Sequence, residues 1–265
     1  MNDPIIDVRD AVRAYRQGDV DVLALRGASL SIHPGEFTCL AGPSGSGKTT
    51  LLNLIGCLDQ PTSGSVKVSG QDVTVLSRTQ AAAFRLNHIG FVFQAYNLVP
   101  VLTAYENAEF ILLLQGVPEK QRRQEVERVL AAVGLERERD RKPHQLSGGQ
   151  QQRVAVARAI ASKPKIVLAD EPTANLDSDT SASLLDLMWS LNQEFGITFL
   201  LSSHDAQVMQ RARRVVRMDS GRIVTDAGAA ESAALSSAAL SSAAPSPPAQ
   251  SSAQTSASAA RSSAA

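Results

Sequence analysis

The segment Gly42-Pro43-Ser44-Gly45-Ser46-Gly47-Lys48-Thr49 constrains the fold more than any other part of the chain. It fits the pattern G-x-x-x-x-G-K-[ST] at every fixed position and directly follows the apolar run Phe37 to Ala41. Glycines let a backbone close round phosphate oxygens, and the N–H groups opening a helix at Lys48 point at them with the helix dipole behind. Lys48 supplies a mobile positive charge for β- and γ-phosphates, and the Thr49 hydroxyl can ligate Mg2+. Strand, loop and helix in that order predict an α/β sheet with its site at the carboxyl ends of the strands.

The rest of the chain keeps that rhythm. Short strands are expected at Ile5 to Val8, Ala28 to Ile32, Phe37 to Ala41, Ser65 to Val68 and Ile89 to Phe93, with a helix from Lys48 to Leu58. Thr103 to Gly134 reads as mostly helical, its second helix opened by Pro118 and marked by Val126, Val129, Leu130 and Val133 at helical spacing. A helix after Gly148-Gly149 runs through Ile160. Strands at Ile166 to Ala169, Ile197 to Leu201 and Val215 to Met218 then alternate with helices at Ser178 to Glu194 and Ala206 to Ala212. The run Ile166-Val167-Leu168-Ala169 has the unbroken apolar character of a buried parallel strand, and it stops at Asp170-Glu171. That placement suits Asp170 to a metal, directly or through water. It suits Glu171 to orienting and polarising an attacking water, the alternative being a cap or surface residue ahead of Pro172.

Composition excludes several classes. Lysine plus arginine and aspartate plus glutamate both total 26, so no overall field draws the chain to nucleic acid, and no nucleic-acid partner is expected. No apolar run approaches the roughly 20 residues of a membrane span, and the start at Met1 lacks the pattern of an export signal. Cys39 and Cys57 sit in apolar or helical runs and are expected to pack, not to pair or bind metal. His33, His88 and His144 lack a functional context and are expected in turns or on the surface. From Ala227 to Ala265, alanine and serine make up 28 of 39 residues, a composition too poor in large apolar groups to fold. A disordered tail is expected there, with a marginal helix at Ala229 to Leu240 or a tether to another protein as alternatives.

Leu146-Ser147-Gly148-Gly149-Gln150, taken with the two motifs above, closely resembles the nucleotide-binding subunits of ATP-binding cassette (ABC) transporters over roughly Ile5 to Asp226. The resemblance implies an α/β P-loop NTPase of the ABC type within residues 1–226. It has a RecA-like core, an antiparallel β subdomain and an inserted helical subdomain at about 95–160. By that likeness Ser147, Gly148, Gly149 and Gln150 serve ATP held by a second copy of the chain, with Ser147, Gly148 and Gly149 against its γ-phosphate. Gly42 to Thr50 cradle the chain's own ATP and Mg2+. Tyr15 would stack on adenine, Gln94 would reach the metal and water, Asp177 would lie in the loop crossing the dimer interface, and His204 would contact the γ-phosphate. Thr49, Gln94 and Asp170 form the implied metal set; Glu171, His204 and Gln94 form the catalytic one.

Local phrases narrow the branch. Gly56 to Gly64, Ile89 to Gln94 with Asn97-Leu98-Val99-Pro100, and Thr103 to Asn107 resemble lipoprotein-release and macrolide-export ATPases. One cassette, no long coiled coil between the motif halves, and Arg139 to Gln145 where fused exporters carry a Val-Gly-Glu-like element set other branches aside. A solute importer subunit and an ATP-dependent regulatory dimer remain as alternatives. The likeness implies an integral membrane permease docking near Ala95 to Phe110, with Tyr96, Val99 and Val101 exposed there. The chain would then lie peripherally on the cytoplasmic face of the inner membrane.

Overall fold

The computed structural model describes residues 3–228. The described strands form two sheets. The first is antiparallel and built from β1 (Ile6–Gln17), β2 (Val20–Ile32), β4 (Ser63–Val68) and β5 (Gln71–Asp72) in the order β2-β1-β4-β5. The second holds β3 (Phe37–Ala41), β6 (Ile89–Phe93), β7 (Ile166–Asp170), β8 (Thr198–Ser203), β9 (Arg214–Asp219) and β10 (Arg222–Gly228) in the order β10-β9-β3-β8-β7-β6. Only β10 runs antiparallel to its neighbour in that sheet. Helices α1 (Lys48–Ile55), α2 (Arg78–His88), α3 (Ala104–Leu114), α4 (Glu119–Ala132), α5 (Gly148–Ala161), α6 (Ser178–Phe195) and α7 (Ala206–Arg211), with short 3-10 turns at Glu136–Glu138 and Pro143–Gln145, complete the described fold.

The central strands are buried on both faces, and period-two alternation divides their side chains between two cores. Ile166 and Leu168 of β7, Leu200 of β8 and Leu40 of β3 join α1 and the antiparallel sheet in one cluster. Val167 and Ala169, Phe199 and Leu201, and Phe37 and Cys39 join α3 to α7 in the other. Each fully buried Leu or Ile in these layers contributes about 1.5–3 kcal/mol relative to exposure. Both cysteines are free and buried within them.

Several segments differ from the sequence expectation. Strands β1 and β2 extend well past Val8 and start well before Ala28, because Gly18, with φ 63°, turns the chain into a long hairpin whose Tyr15 pairs with Val22. Its outer end leaves even apolar Val20, Val22 and Leu23 exposed, so no buried face sets a hydrophobic alternation to mark it. Helix α2 has only Ala81 buried and therefore carried little periodic signal, yet Ser77 and Gln80 form a capping box at its start. His88 ends that helix half-buried, its ring stacked on Phe84 at 4.3 Å, and so lies neither in a turn nor fully on the surface as expected. Helix α1 stops at Ile55, short of Leu58, where Gly56 closes it. Strand β10 runs to Gly228 and so takes in Ala227 and Gly228, the first two residues of the expected tail. The expected Ala/Ser-rich tail, its possible helix and its tether lie otherwise outside the described residues. Among the described residues no helix is long and apolar enough to cross a membrane.

Candidate functional site

Four parallel strands end at one edge of the central sheet and deliver the chemistry. The phosphate loop follows β3, Gln94 follows β6, Asp170 ends β7 with Glu171 next, and His204 follows β8. Gly42, Gly45 and Gly47 take φ values of 157°, 79° and 103°, and left-handed Gly47 opens α1 without a side-chain cap. A side chain at Gly47 would also strike the Ala24 carbonyl, so the loop needs glycine there for space as well as conformation. The loop amides and the start of α1 thus face a cleft of about 470 Å³ lined by Ser44, Lys48, Thr49, Gln94, Glu171 and His204 among others. Gly45, Gly47 and Thr50 line it too, whereas Gly42, Pro43 and Ser46 are not among its lining residues.

Lys48 is nearly buried, its Nζ donating to the carbonyls of Gly42 at 2.7 Å and Pro43 at 3.0 Å and lying 3.7 Å from Glu171 Oε1. Glu171 is held from several sides. Its backbone N–H donates to Ser202 O (3.1 Å) and Ser202 Oγ (3.2 Å), which fixes a φ of 47°, unusual for a side chain of this kind. His204 Nδ1 sits 3.0 Å from Oε1, and Ser203 Oγ reaches Oε2 at 3.5 Å. Thr49 Oγ1 donates to Asp170 Oδ1 at 3.1 Å, and Ser202 Oγ donates to the same oxygen at 2.5 Å. Asn175 Nδ2 donates to the Gln94 carbonyl at 2.9 Å, tying the loop after β7 to the loop after β6. Such a cleft offers amide donors and a cation to phosphates, hard oxygens to a divalent metal, and a carboxylate to a water.

Ser147 to Gln150 do not line this cleft. Ser147 caps α5, its Oγ accepting from Gln150 N at 3.3 Å, while Gln150 Oε1 accepts from Ser147 N at 2.9 Å. The Gln150 side chain is thereby engaged in its own helix start. Gly148 lies under the Tyr96 hydroxyl, and Gly149 is packed against Thr180 at the start of α6. Thr180 in turn donates to Asp177, from N at 2.9 Å and from Oγ1 at 2.7 Å. The Thr180 backbone N–H is the main cause holding the Asp177 carboxyl below its ordinary range. Asp177 and the Ser147 run therefore share one exposed edge.

Tyr15 also lies outside the cleft lining. Its hydroxyl donates to Asp59 at 2.7 Å, and the Arg13 guanidinium lies 4.6 Å from its ring centre. Of the expected docking segment, Val101 is exposed, but Tyr96 and Val99 are partly buried. Arg158 of α5 donates to the carbonyls of Tyr96 and Asn97, both at positive φ, and so fastens that loop to α5. Sequence reasoning missed Ser202 and Ser203. Their only signal was two hydroxyls ending a run, Thr198 to Leu201, that is otherwise a buried strand.

A family profile described as "ABC transporter" matches residues 25–174. The chain is 48% identical over 227 residues to a macrolide export ATP-binding/permease protein MacB of Syntrophobacter fumaroxidans, covering 85% of this chain and 32% of that protein. It is 45% identical over 219 residues to an uncharacterized ABC transporter ATP-binding protein of Thermotoga maritima, covering 83% and 93% respectively. Among solved structures, the dimeric ATP-binding cassette MJ0796, in a post-hydrolysis state bound to ADP and Pi, superposes with a TM-score of 0.79 at 40% identity, covering 84% of this chain and 98% of that one. The chain spans about a third of the length of the macrolide export relatives it matches.

Proposed function

The chain belongs to the ABC transporter family, and from that membership we propose that it binds and hydrolyses ATP to drive a membrane permease that exports or extracts a substrate. Glu171 carries the reading: a carboxylate at the end of β7, 3.7 Å from Lys48 and 3.0 Å from His204, beside the paired Thr49 and Asp170. The phosphate-loop amides and Lys48 bind the phosphates and draw charge from the γ-phosphoryl group. Glu171 orients the attacking water and accepts its proton. His204, held by Glu171 through Nδ1, turns its other ring nitrogen to the γ-phosphate. Phosphoryl transfer needs little else beyond position and charge.

Thr49, Gln94 and Asp170 offer hydroxyl, amide and carboxylate oxygens, the hard donors that suit Mg2+, which commonly completes its shell with water and substrate phosphate. The 3.1 Å contact between Thr49 and Asp170 puts two of these donors together. Mg2+ bound there would neutralise phosphate charge. Two copies are inferred to close on two ATP molecules, each supplying Ser147, Gly148 and Gly149 to the other's nucleotide and meeting again at Asp177. Tyr15, partly exposed with the Arg13 guanidinium over its ring, would stack on adenine. The dimeric cassette MJ0796 and the permease-fused macrolide exporters support both partnerships. Exposed Val101 and Phe110 support permease docking around Ala95 to Phe110, which would hold the chain at the cytoplasmic face of the inner membrane.

Glu171→Gln tests the reading. The variant is expected to bind ATP, lose turnover and accumulate an ATP-bound dimer; near-normal hydrolysis would reject Glu171 as the base. Co-purification of the full chain with an integral membrane permease tests the transport assignment against a regulatory dimer.

A further inference from the structure

Strand β8 lies between the strand that launches the phosphate loop and the strand that ends in the acids, with Ser202 in register with Leu40 of β3 on one side and Asp170 of β7 on the other. A residue there must pack against two neighbours in a sheet buried on both faces, and Thr198 to Leu201 before it do so as a largely apolar run. Ser202 is fully buried. A hydroxyl in that environment costs free energy unless it is bonded, and this one is bonded twice, once as donor and once as acceptor, to the end of β7 and the residue after it. It donates to Asp170 Oδ1 at 2.5 Å and accepts from the Glu171 backbone N–H at 3.2 Å.

From this geometry we propose that Ser202 is a positioning residue for the reaction, setting the rotamer of the metal-holding Asp170 and the left-handed peptide of Glu171 with one hydroxyl. The inference rests on the ATPase reading above and extends it to a side chain that does not line the cleft. A carboxylate that must find its own orientation loses rotamer freedom each time it takes a metal; one already bonded to Ser202 and Thr49 has given up that freedom on folding. Both bonds fall on Oδ1, so the carboxylate plane is fixed relative to the Thr49 hydroxyl, the other donor for the cation. The neighbouring Ser203 points the opposite way by strand alternation and reaches Glu171 Oε2. Ser202 thus aligns the metal ligand and the backbone of the base, while Ser203 reaches only the base's carboxylate.

Removing a group that orients a metal ligand typically lowers metal affinity about 10–100-fold. The test measures binding of a fluorescent ATP analogue to the full chain, first in EDTA and then across a Mg2+ titration, in the wild type and Ser202→Ala. Binding in EDTA is expected to be equal in the two proteins, and the Mg2+ midpoint of the variant to rise about ten-fold or more. A second measurement follows the Mg2+ dependence of ATP turnover, where the same displacement is expected. An unchanged midpoint in Ser202→Ala overturns the proposal, as does weakened binding in EDTA with no displacement, which marks a merely structural role. A wild type that binds ATP but does not turn it over removes the ATPase reading instead, while the Mg2+ midpoints still report on Ser202.

Discussion

His204 Nδ1 lies 3.0 Å from Glu171 Oε1, although one side chain is two-thirds exposed and the other is nearly buried at the end of a central strand. The contact spans β7 and β8 and orients the imidazole from the carboxylate side, which leaves the opposite ring nitrogen for a ligand in the cleft. Lys48 approaches the same Glu171 oxygen at 3.7 Å. One carboxylate therefore organises two groups suited to phosphate.

His204→Ala is expected to lower the turnover number about 10²-fold with a much smaller change in ATP affinity, since a donor aimed at developing charge acts mainly in the transition state. Steady-state ATPase rates across an ATP range separate the two effects. A loss confined to KM would make His204 a ground-state binding residue only.

Gly149 has a packing requirement that is separable from any role toward nucleotide. A Cβ there would press into Thr180 Cγ2 well inside contact distance. Gly149→Ala is expected to destabilise the domain by about 1–3 kcal/mol, the usual cost of overpacking. Thr180→Ser in the same chain removes the offending methyl yet keeps the hydroxyl bonded to Asp177, and should recover most of the loss in thermal unfolding. Failure of that rescue would assign the cost to the backbone of α5 instead.

The parts legible in the sequence were those whose chemistry is local. Gly42 to Thr49 states its own strand, turn and helix, and the apolar run ending at Asp170 states its burial and its edge. Helix α2 was invisible because a mostly exposed helix has almost no apolar stripe, and the far half of the β1–β2 hairpin because its exposed end lacks clean alternation. Ser202 could not be found by any motif, since its partners Asp170 and Glu171 are distant in sequence and meet it only through the parallel register of β7 and β8. Tyr96 was expected on the surface; its place over Gly148 depends on Arg158 holding the loop carbonyls from another helix.

Burial pushes the Cys39 thiol up to about 12, with Glu171 adding to the rise, and the Cys57 thiol up to about 11. Thiolate is the reactive form. Disulfide-exchange labelling of the native protein near pH 8 is therefore expected to be very slow, with both thiols reacting at once in denaturant. Fast labelling of one thiol in the native state would show that its core opens readily.

Asp177 caps the N-terminus of α6 through Thr180, and that bond chiefly holds its carboxyl below the ordinary value of 3.8. A carboxyl whose folded pKa lies below its unfolded one binds fewer protons when folded, so it stabilises the fold above the unfolded value and loses that contribution as pH falls through the folded one. The melting temperature of the wild type should therefore exceed that of Asp177→Ala by its full margin near neutral pH. The margin should narrow below about pH 4, where the cap becomes neutral and its attraction for the helix dipole fades. Asp177→Asn keeps an uncharged acceptor and should show a margin over Asp177→Ala that does not depend on pH. Thermal unfolding of the three proteins across that range checks the sign: a wild-type margin that widens on acidification would mean that Asp177 is stabilised in its protonated form by groups other than Thr180.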